Sequence, residues 1–481
     1  MNTSEKSLEK GLAFFWNKNY ASPGRETNGL MQRFMANRAK ALVYNHQGLG
    51  NYFTYRHAIP ILGIDPQEIF KGGQLLLPDH YVDFGYMWSQ AGPPESALQA
   101  IRDNVTEETV APYPPDLFTS LRDAAAEVKF HRPRSDSFDV LGAEGAQGGI
   151  GYTLLAHLEP GDEVIITDPS YMHFYPGPGI AGATVNAIPL RPENGFRLDP
   201  DEVKARINNR TKMLILCDPL NPFGTVQTRE ELIAIAEICR RNDVLIFNNI
   251  THSTHQTDPD AVHIPLASLH NEVDTDHVVS TTGISKGYAL ASMRVGFIAG
   301  HPSLLKAQAM LRMEITKIHI NALGQHAALA ALRDHDYVRR STEIMRRNLG
   351  IVKQAVAKAD GVTLAVEPRY GFCTCIDVSG TGVTAQEITV ALFKKGFCVI
   401  PGDAMGEVGA TKYIRLNYSQ KDPAKLERFR DSLDDAVRDA QRGAYAAGVI
   451  DFFRKVGTAR GQRIIEEIES RQARTRHIAA E

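Results

Sequence analysis

The sequence predicts an α/β protein in which helices cover both faces of a mostly parallel sheet, followed by a smaller α/β domain. Between residues 95 and 300, short apolar runs alternate with segments of helical period, as in sheets whose strands are buried on both faces. After residue 361, shorter strand-like and helix-like segments return. The chain has 481 residues, of which 43% are hydrophobic and 23% charged, a length and balance typical of two folded domains.

The predicted elements of the first domain follow one another in order. Leu117, Leu121, Ala125 and Val128 have the spacing of one helix face. Two further segments are predicted to be helices, GGIGYTLLAHL and REELIAIAEICRR. Six runs are predicted to be strands: SFDVLG, DEVIIT, TVNAIPL, KMLILC, DVLIF and HVVSTT. Sheets of this kind bind ligands beyond the carboxyl ends of their strands.

The remaining segments complete the predicted organisation. Residues 301–360 are predicted to be largely helical, and the tail to form one peripheral helix that carries Ile464, Ile465 and Ile468 among charged residues. The predicted division has four parts: an N-terminal extension with the start of the small domain (1–80), a large domain (81–320), a small C-terminal α/β domain (321–441) and a helical tail (442–481).

Composition argues against several classes of protein. The net charge is −3, so no overall basic field favours nucleic acid or an acidic membrane. No apolar run reaches the ~18 residues of a membrane span, and the first residues lack the pattern of a signal peptide. Of the five cysteines, Cys373 and Cys375 lie two apart in a predicted strand, without the second ligand pair that zinc requires. We therefore expect reduced thiols, no metal and a cytoplasmic protein.

The first 80 residues leave two interpretations open. They contain more basic than acidic residues together with many aromatic ones, which could indicate a nucleic-acid-binding arm. The favoured interpretation is an extension that packs over the body of the protein or over a partner subunit. The segment YNHQGLGNYFTYRH lacks the period of a helix-turn-helix.

Four segments carry candidate chemistry. In STTGISKGYALASMRVGFIAG, Lys286 follows a predicted strand and Arg294 comes eight residues later; alone, such a lysine is usually a surface residue. Asn221 follows the strand KMLILC in DPLNPFGTV, which alone would be a turn. In LGAEGAQGGIG, small residues between a strand and a helix form either an anion cradle or a tight turn. Arg415 lies among apolar residues in TKYIRLNYS, where a bidentate carboxylate would be a suitable partner.

Together and in this order, the segments resemble the class I/II aminotransferases over residues 80–440. The resemblance implies the aspartate aminotransferase type of fold-type I, with a mostly parallel seven-stranded sheet in the large domain, and pyridoxal 5′-phosphate as cofactor. It makes Lys286 similar to the family's Schiff-base lysine. Around the cofactor it implies the phosphate loop of Ala146 and Gln147 and the phosphate arginine Arg294. It also implies Ser285 as the serine that precedes the lysine, Tyr171 as the residue that stacks on the ring and Asn221 as the partner of the ring oxygen.

The same resemblance implies a substrate site and a partner. Arg415 corresponds to the residue that binds the substrate α-carboxylate, and Gly85 to a close approach of backbone to substrate. Tyr113, in APYPP, is similar to a tyrosine that reaches the neighbouring subunit's phosphate, so a homodimer is implied.

The sequence departs from the family at the strand VLIFNNITHSTH. The family has an Asp at the pyridine nitrogen and a Tyr three residues later, whereas this chain is expected to have Asn248 and Thr251 there. An amide supplies no charge to a protonated ring nitrogen. His252 or His255 is a candidate replacement for the tyrosine, although each also suits an ordinary loop.

A second departure lies at the expected phosphate site. Gly283 stands where a phosphate-binding Ser or Thr is usual, and Ser292 where a Gly is. Thr281 or Thr282 is a candidate substitute for the missing hydroxyl.

The leading hypothesis is an aminotransferase that acts on a small-molecule α-amino acid. A weaker electron sink would instead suit a specialised pyridoxal-phosphate lyase, cyclase or oxidase of amino-acid or natural-product metabolism. A third hypothesis is a ligand-sensing regulator that keeps the fold without catalysis, and residues 1–80 do not resemble the DNA-binding domain that it would need. The substrate side chain is not encoded in these motifs.

Overall fold

The computed structural model describes residues 54–65 and 80–478, together with the single positions 33, 36 and 39. The predicted N-terminal extension therefore lies largely outside the described residues. Within the described residues, five elements precede the main sheet: α1 (Thr54–Leu62), β1 (Val82–Asp83), α2 (Glu95–Asp103), α3 (Glu107–Val110) and α4 (Thr119–Phe130).

A seven-stranded sheet forms the centre of the first unit, which confirms the expected mostly parallel sheet. Its strands are β2 (Asp139–Glu144), β3 (Glu163–Asp168), β4 (Thr184–Pro189), β5 (Thr211–Cys217), β6 (Leu245–Asn249), β7 (Val278–Gly283) and β8 (Val295–Gly300). They are arranged in the order β2-β8-β7-β6-β5-β3-β4. β8 runs antiparallel to both of its neighbours, β2 and β7, and all other neighbouring pairs in the sheet are parallel. Every residue of β3, β7 and β8 is buried, because helices cover both faces of the sheet.

Helices connect these strands, and two of them, α5 and α7, lie where helices were predicted. They are α5 (Gly145–His157), α6 (Pro200–Arg206), α7 (Arg229–Arg241) and the one-turn α8 (Ile284–Gly287). A capping box begins α7, since Thr228 accepts from the Glu231 amide while the Glu231 carboxylate accepts from the Thr228 amide. Short 3₁₀ turns occur at Met172–Phe174, Gly177–Ile180, Pro192–Asn194, Leu266–Leu269, Ala291–Met293, Ser379–Thr381 and Gly402–Ala404.

The region 301–360 is helical, as expected, and leads into a second unit. Its helices are α9 (Pro302–Ile315), α10 (Ala322–Arg333) and α11 (His335–Lys358). The second unit comprises β9 (Thr363–Leu364), β10 (Cys373–Asp377), α12 (Ala385–Lys394), β11 (Phe397–Cys398), β12 (Ile400–Pro401), β13 (Tyr413–Asn417) and α13 (Ala424–Gln441). Its antiparallel sheet has the order β12-β13-β10-β9, while β11 pairs with β1 in a separate two-stranded parallel sheet.

The tail differs from its prediction, because it forms two helices and its apolar face is buried. The helices α14 (Ala446–Val456) and α15 (Ala459–Ile478) are separated at Gly457, whose φ of 68° ends the first of them. Ile464, Ile465 and Ile468 are buried in the core of the second unit. Arg471 also donates to both oxygens of the buried Glu387, at 2.8 and 2.6 Å. The tail is therefore part of the second unit's core and not a peripheral helix.

The topology brings the motif segments to one edge of the large sheet. The parallel strands β3, β5, β6 and β7 all end at this edge. The segments with Tyr171, Asn221, Thr251 and Lys286 begin within four residues of those ends. Among the described residues, no helix has the length and apolar character needed to cross a membrane.

Candidate active site

A cavity of about 220 Å³ lies at this edge of the sheet. Ten of the residues singled out in the sequence line it: Ala146, Gln147, Tyr171, Asn221, Thr251, His252, Gly283, Ser285, Lys286 and Arg294. The other lining residues are Met87, Ile150, His173, Cys217, Asn249 and Ala291. No aspartate or glutamate is among these sixteen residues.

An anion cradle forms where β2 turns into α5. Gly145 has a φ of 71°, and a Cβ there would clash with the guanidinium of Arg294. Arg294 itself has a φ of 53° and donates to the carbonyls of Glu144 (2.8 Å) and Ala291 (3.1 Å). The first turn of α5, with Ala146 and Gln147, therefore faces the cavity beside a fixed guanidinium. Such a helix start with an arginine suits a phosphate group.

Gly283 lines the cavity beside this cradle, and its environment explains the missing hydroxyl. A Cβ on Gly283 would lie 2.9 Å from the Val295 carbonyl oxygen and 3.4 Å from the Ala146 nitrogen. A serine or threonine would therefore force two strands and the cradle apart.

Neither Thr281 nor Thr282 replaces that hydroxyl. Thr281 donates to the Phe297 carbonyl at 3.0 Å, and Thr282 to the Ile250 carbonyl at 3.4 Å. Both side chains are buried and outside the cavity lining.

Lys286 projects into the cavity from α8, directly after β7. Its Nζ donates to the carbonyl of Met87. Burial, together with the nearby charges of Arg415 and Arg294, lowers the pKa of Lys286 to about 8. About a tenth of the amine is therefore uncharged at pH 7, far more than for an exposed lysine, which makes it available as a nucleophile or base.

Tyr171 and Asn221 lie on the loops after β3 and β5. The Tyr171 hydroxyl donates to Gln147 Oε1 at 3.3 Å, so its ring is fixed beside the cradle. Burial raises the pKa of Tyr171 to about 12, so the phenol is neutral. Asn221 is buried, and its Oδ1 accepts from Arg415 Nη1 at 3.2 Å.

Arg415 and Gly85 adjoin the cavity without being part of its lining. Arg415 is only 2% exposed, and its Nη2 donates to the Gly85 carbonyl at 2.9 Å. Its Nε has no hydrogen-bond partner. Two of five N–H donors are thus satisfied by neutral acceptors, which leaves a buried guanidinium able to bind an anion.

At the end of β6, the structure places Asn249 in the cavity lining and not the expected Asn248. Asn248 is buried on the opposite side of the strand, where its Nδ2 donates to the Leu216 carbonyl at 3.3 Å. Asn249, which pairs with Cys217 of β5, is the residue that lines the cavity. Because side chains alternate between the faces of a strand, only one of the two asparagines can reach the cavity.

The following loop supplies Thr251 and His252 to the cavity. The Thr251 amide donates to Asn249 Oδ1 at 3.0 Å, and its own hydroxyl has no partner. His252 Nδ1 also lacks a partner, and burial beside Lys286 lowers the pKa of His252 to about 3. The ring is therefore neutral. His255 lies outside the lining and pairs with Thr342 at 3.2 Å.

Tyr113 lies outside the cavity on the protein surface. Its side chain is 84% exposed, and its ring stacks on His319 with centroids 4.9 Å apart. Within the described chain it therefore contributes nothing to the cavity.

Besides Asn249, sequence reasoning missed three lining residues that bear functional groups. Met87 contributes its carbonyl to Lys286, which no side-chain pattern could reveal. Cys217 ends β5, and burial raises the pKa of its thiol to about 12. His173 follows Tyr171 by two residues, and their rings are 5.1 Å apart. Only its place two residues after Tyr171, in the loop DPSYMHF, could have indicated His173.

Known proteins resemble this chain over most of its length. A family model described as aminotransferase class I and II matches residues 83–433. An aspartate aminotransferase from Pyrococcus abyssi is 28% identical over 326 residues, which cover 66% of this chain and 82% of that protein. An arginine–pyruvate transaminase from Pseudomonas aeruginosa is 31% identical over 294 residues, which cover 60% of this chain and 72% of that protein.

Solved structures share the fold. An aromatic aminotransferase from Pyrococcus horikoshii matches with a TM-score of 0.68 and 24% identity, over 75% of this chain and 97% of that one. An aspartate aminotransferase from Thermotoga maritima has a TM-score of 0.68 and 22% identity, over 84% and 100% of the two chains. At these identities the likeness concerns the fold alone.

Proposed function

Because the chain belongs to the class I and II aminotransferases, whose cofactor is pyridoxal 5′-phosphate, we propose that it transfers the amino group of an α-amino acid with Lys286 as the cofactor-bearing residue. The observation that carries this proposal is the convergence of Lys286, Arg294 and the α5 cradle on one cavity. Large domain 81–320 would supply the cofactor site, and small domain 321–441 would supply Arg415.

The residues present fit the cofactor. The α5 cradle, Ser285 and Arg294 would hold its phosphate, and the Gly145 and Gly283 positions leave room that a Cβ would fill. Tyr171 would lie against the ring, and Asn221 would hydrogen-bond the ring oxygen. When bound, the cofactor supplies an electron-withdrawing ring and an aldehyde that Lys286 can attack.

Arg415 would bind the substrate carboxylate. A desolvated guanidinium with unused donors binds a carboxylate in a bidentate manner, and Gly85 keeps the backbone close to it. Asn221 links this arginine to the cavity, so the carboxylate and the amine of Lys286 would be held near one another.

Lys286 would also move the substrate proton. Its lowered pKa allows the amine to accept a proton near neutral pH and to return it. The Met87 carbonyl would orient the amine through the hydrogen bond that it already accepts.

A screen of amino acids tests the proposed reaction. We expect a suitable amino acid, without any acceptor, to release one equivalent of its 2-oxo acid per cofactor, because the amino group stays on the enzyme. Continuous turnover should then require an added 2-oxo acid. Release of ammonia or of a cyclised or cleaved product, with no need for an acceptor, would contradict transamination. Such products would support the specialised lyase, cyclase or oxidase, which the absence of a carboxylate from the cavity lining favours.

A homodimer would complete the site. Tyr113 and His319 bring together the segments 105–113 and 310–319, which also expose the apolar side chains of Val110, Met310 and Ile315. Exposed apolar side chains on adjoining segments are typical of a protein–protein contact. A second copy of the chain would cover them and bring Tyr113 to the neighbouring cradle.

Mixing two inactive or impaired chains tests this arrangement. We expect a Lys286→Ala chain and a Tyr113→Phe chain to give more activity together than the sum of the two alone, at limiting cofactor. Each mixed dimer would contain one intact site, so random pairing should restore about a quarter of the wild-type sites. Because Tyr113 is exposed, its replacement should leave the fold unchanged. A fully active monomer in sedimentation would contradict the proposal.

A further inference from the structure

We infer that Asn249 donates a hydrogen bond to the ring nitrogen of the bound cofactor and thereby holds that nitrogen in its unprotonated form. The inference rests on the proposed function only in that the cofactor binds in this cavity. The effect of Asn249 on the ring nitrogen would be opposite to that of a carboxylate. A carboxylate stabilises the protonated nitrogen, whereas the amide donor stabilises the unprotonated one.

The orientation of the Asn249 amide follows from its own hydrogen bond. Oδ1 accepts from the Thr251 backbone amide at 3.0 Å. A flipped amide would place its NH₂ group against that N–H, so the oxygen must face Thr251. Among the residues that the structure describes, no acceptor is paired with Nδ2. Asn249 therefore presents a donor to the cavity.

A donor selects the protonation state of its partner. An unprotonated ring nitrogen has a lone pair and accepts from Nδ2, whereas a protonated nitrogen would direct its own N–H at another N–H. The other lining groups do not reverse this preference. Arg294 carries a positive charge and Lys286 is either cationic or neutral, so neither favours a further positive charge on the ring nitrogen. His252 is neutral because burial lowers its pKa to about 3.

Two buried carboxyls lie next to the lining segments but outside the cavity lining. Asp218 follows Cys217, and its Oδ1 accepts from the Gln227 amide while Oδ2 lies 3.6 Å from His263 Nε2. Asp83 accepts from the amides of Gly85 and Tyr86. Burial raises the pKa of Asp218 to about 7 and that of Asp83 to about 6. Neither carboxyl is part of the cavity lining, so the lining itself offers the ring nitrogen no anion.

The position of Asn249 also distinguishes it from the groups that would hold the rest of the cofactor. The cradle and Arg294 serve an anion, Lys286 serves the aldehyde and Asn221 serves the ring oxygen. Asn249 comes from the end of a central strand, and its paired neighbour Cys217 also lines the cavity with a neutral thiol. The other two lining amides, Gln147 and Asn221, are those assigned above to the cradle and to the ring oxygen, which leaves Asn249 for the ring nitrogen.

Solid-state nitrogen-15 NMR of cofactor labelled at the ring nitrogen tests the inference. In wild-type holoenzyme near neutral pH, we expect a pyridine-like shift. Asn249→Asp keeps the acceptor for Thr251 and replaces the donor with a carboxylate oxygen. It should give a pyridinium-like shift, with the ratio of protonated to unprotonated nitrogen raised by about tenfold or more.

Asn248→Asp is the matched control, because it makes the same chemical change one residue away on the opposite face of β6. We expect it to leave the nitrogen shift unchanged. If this variant fails to fold, the wild-type spectrum remains decisive. A pyridinium-like shift in the wild type, or a response to Asn248→Asp without a response to Asn249→Asp, would overturn the inference.

The proposed function is checked separately by mass mapping of the cofactor after borohydride reduction. Attachment to Lys286 with a pyridinium-like nitrogen would overturn only the role of Asn249. Failure of the cofactor to attach at Lys286 would overturn the proposed site and this inference together.

Discussion

Replacing Lys286 with alanine should abolish covalent attachment of pyridoxal phosphate and reduce turnover to background. The variant loses the only amine among the lining residues, and with it both the nucleophile for the cofactor and the proton-moving base. Loss of a general base alone costs about 10²–10⁴-fold in rate. The measurements are the visible absorbance of the bound cofactor and the rate of 2-oxo acid formation.

Lys129 provides a matched control for this experiment. It is a second buried lysine whose pKa burial lowers to about 8, and its Nζ donates to Thr254 at 2.8 Å. It is not part of the cavity lining. Lys129→Met should therefore keep the cofactor attached, whereas a borohydride-reduced adduct on Lys129 would show that Lys286 has been assigned wrongly.

The pH dependence of attachment has a definite direction. The neutral amine attacks the aldehyde, and burial has lowered the pKa of Lys286 from 10.5 to about 8. The rate at which apoenzyme takes up the cofactor should rise with pH up to about 8 and then level off. A rate that keeps rising to pH 10 would mean that the attacking lysine is solvent-exposed.

Replacing Arg415 with lysine should weaken substrate binding by roughly 10- to 150-fold, the equivalent of the 1.5–3 kcal/mol of a charged hydrogen bond. A lysine has one ammonium group and cannot reproduce the fork that binds both carboxylate oxygens. Cofactor affinity should change little, because Arg415 lies outside the cavity lining. Titration of the bound cofactor's spectrum with amino acid gives the first affinity, and reconstitution of the apoenzyme gives the second.

Arg312 offers the comparison for Arg415. It is also a fully buried arginine, but it pairs with Asp116 and with the carbonyl of Ile318, away from the cavity. Arg312→Lys should lower the melting temperature without a selective loss of substrate affinity. Equal losses of substrate and cofactor affinity in Arg415→Lys would instead indicate that Arg415 is structural.

Contiguous motifs were the part of the cavity that could be predicted. The cradle of Ala146 and Gln147 and the segment from Ser285 to Arg294 each depend on residues close together in the chain. A strand followed by a glycine-rich turn and a helix fixes the geometry locally, so chain order alone brings these groups to the strand ends. The helix α7 was predictable for the same reason, since its apolar period lies within one segment.

The tail and Tyr113 show where local patterns were insufficient. Three isoleucines among charged residues predict an amphipathic helix, but the surface that receives them comes from distant segments of the second unit. The sequence of APYPP likewise contains no sign that Tyr113 is exposed and stacked on His319. Burial depends on contacts between segments that lie far apart in the chain.

The sequence by itself determined the α/β class, six of the seven strands of the large sheet and the chemical groups available at the strand ends, including two adjacent asparagines on β6. Only the tertiary structure decided which asparagine faces the cavity. In an isolated strand the two faces are equivalent. Pairing with β5 and β7 places Asn249 on the face towards the cavity and Asn248 on the opposite face, where it bonds to the Leu216 carbonyl. A shift of one residue reverses every side chain of a strand, so this choice depends on the packed sheet and not on the pattern of its residues.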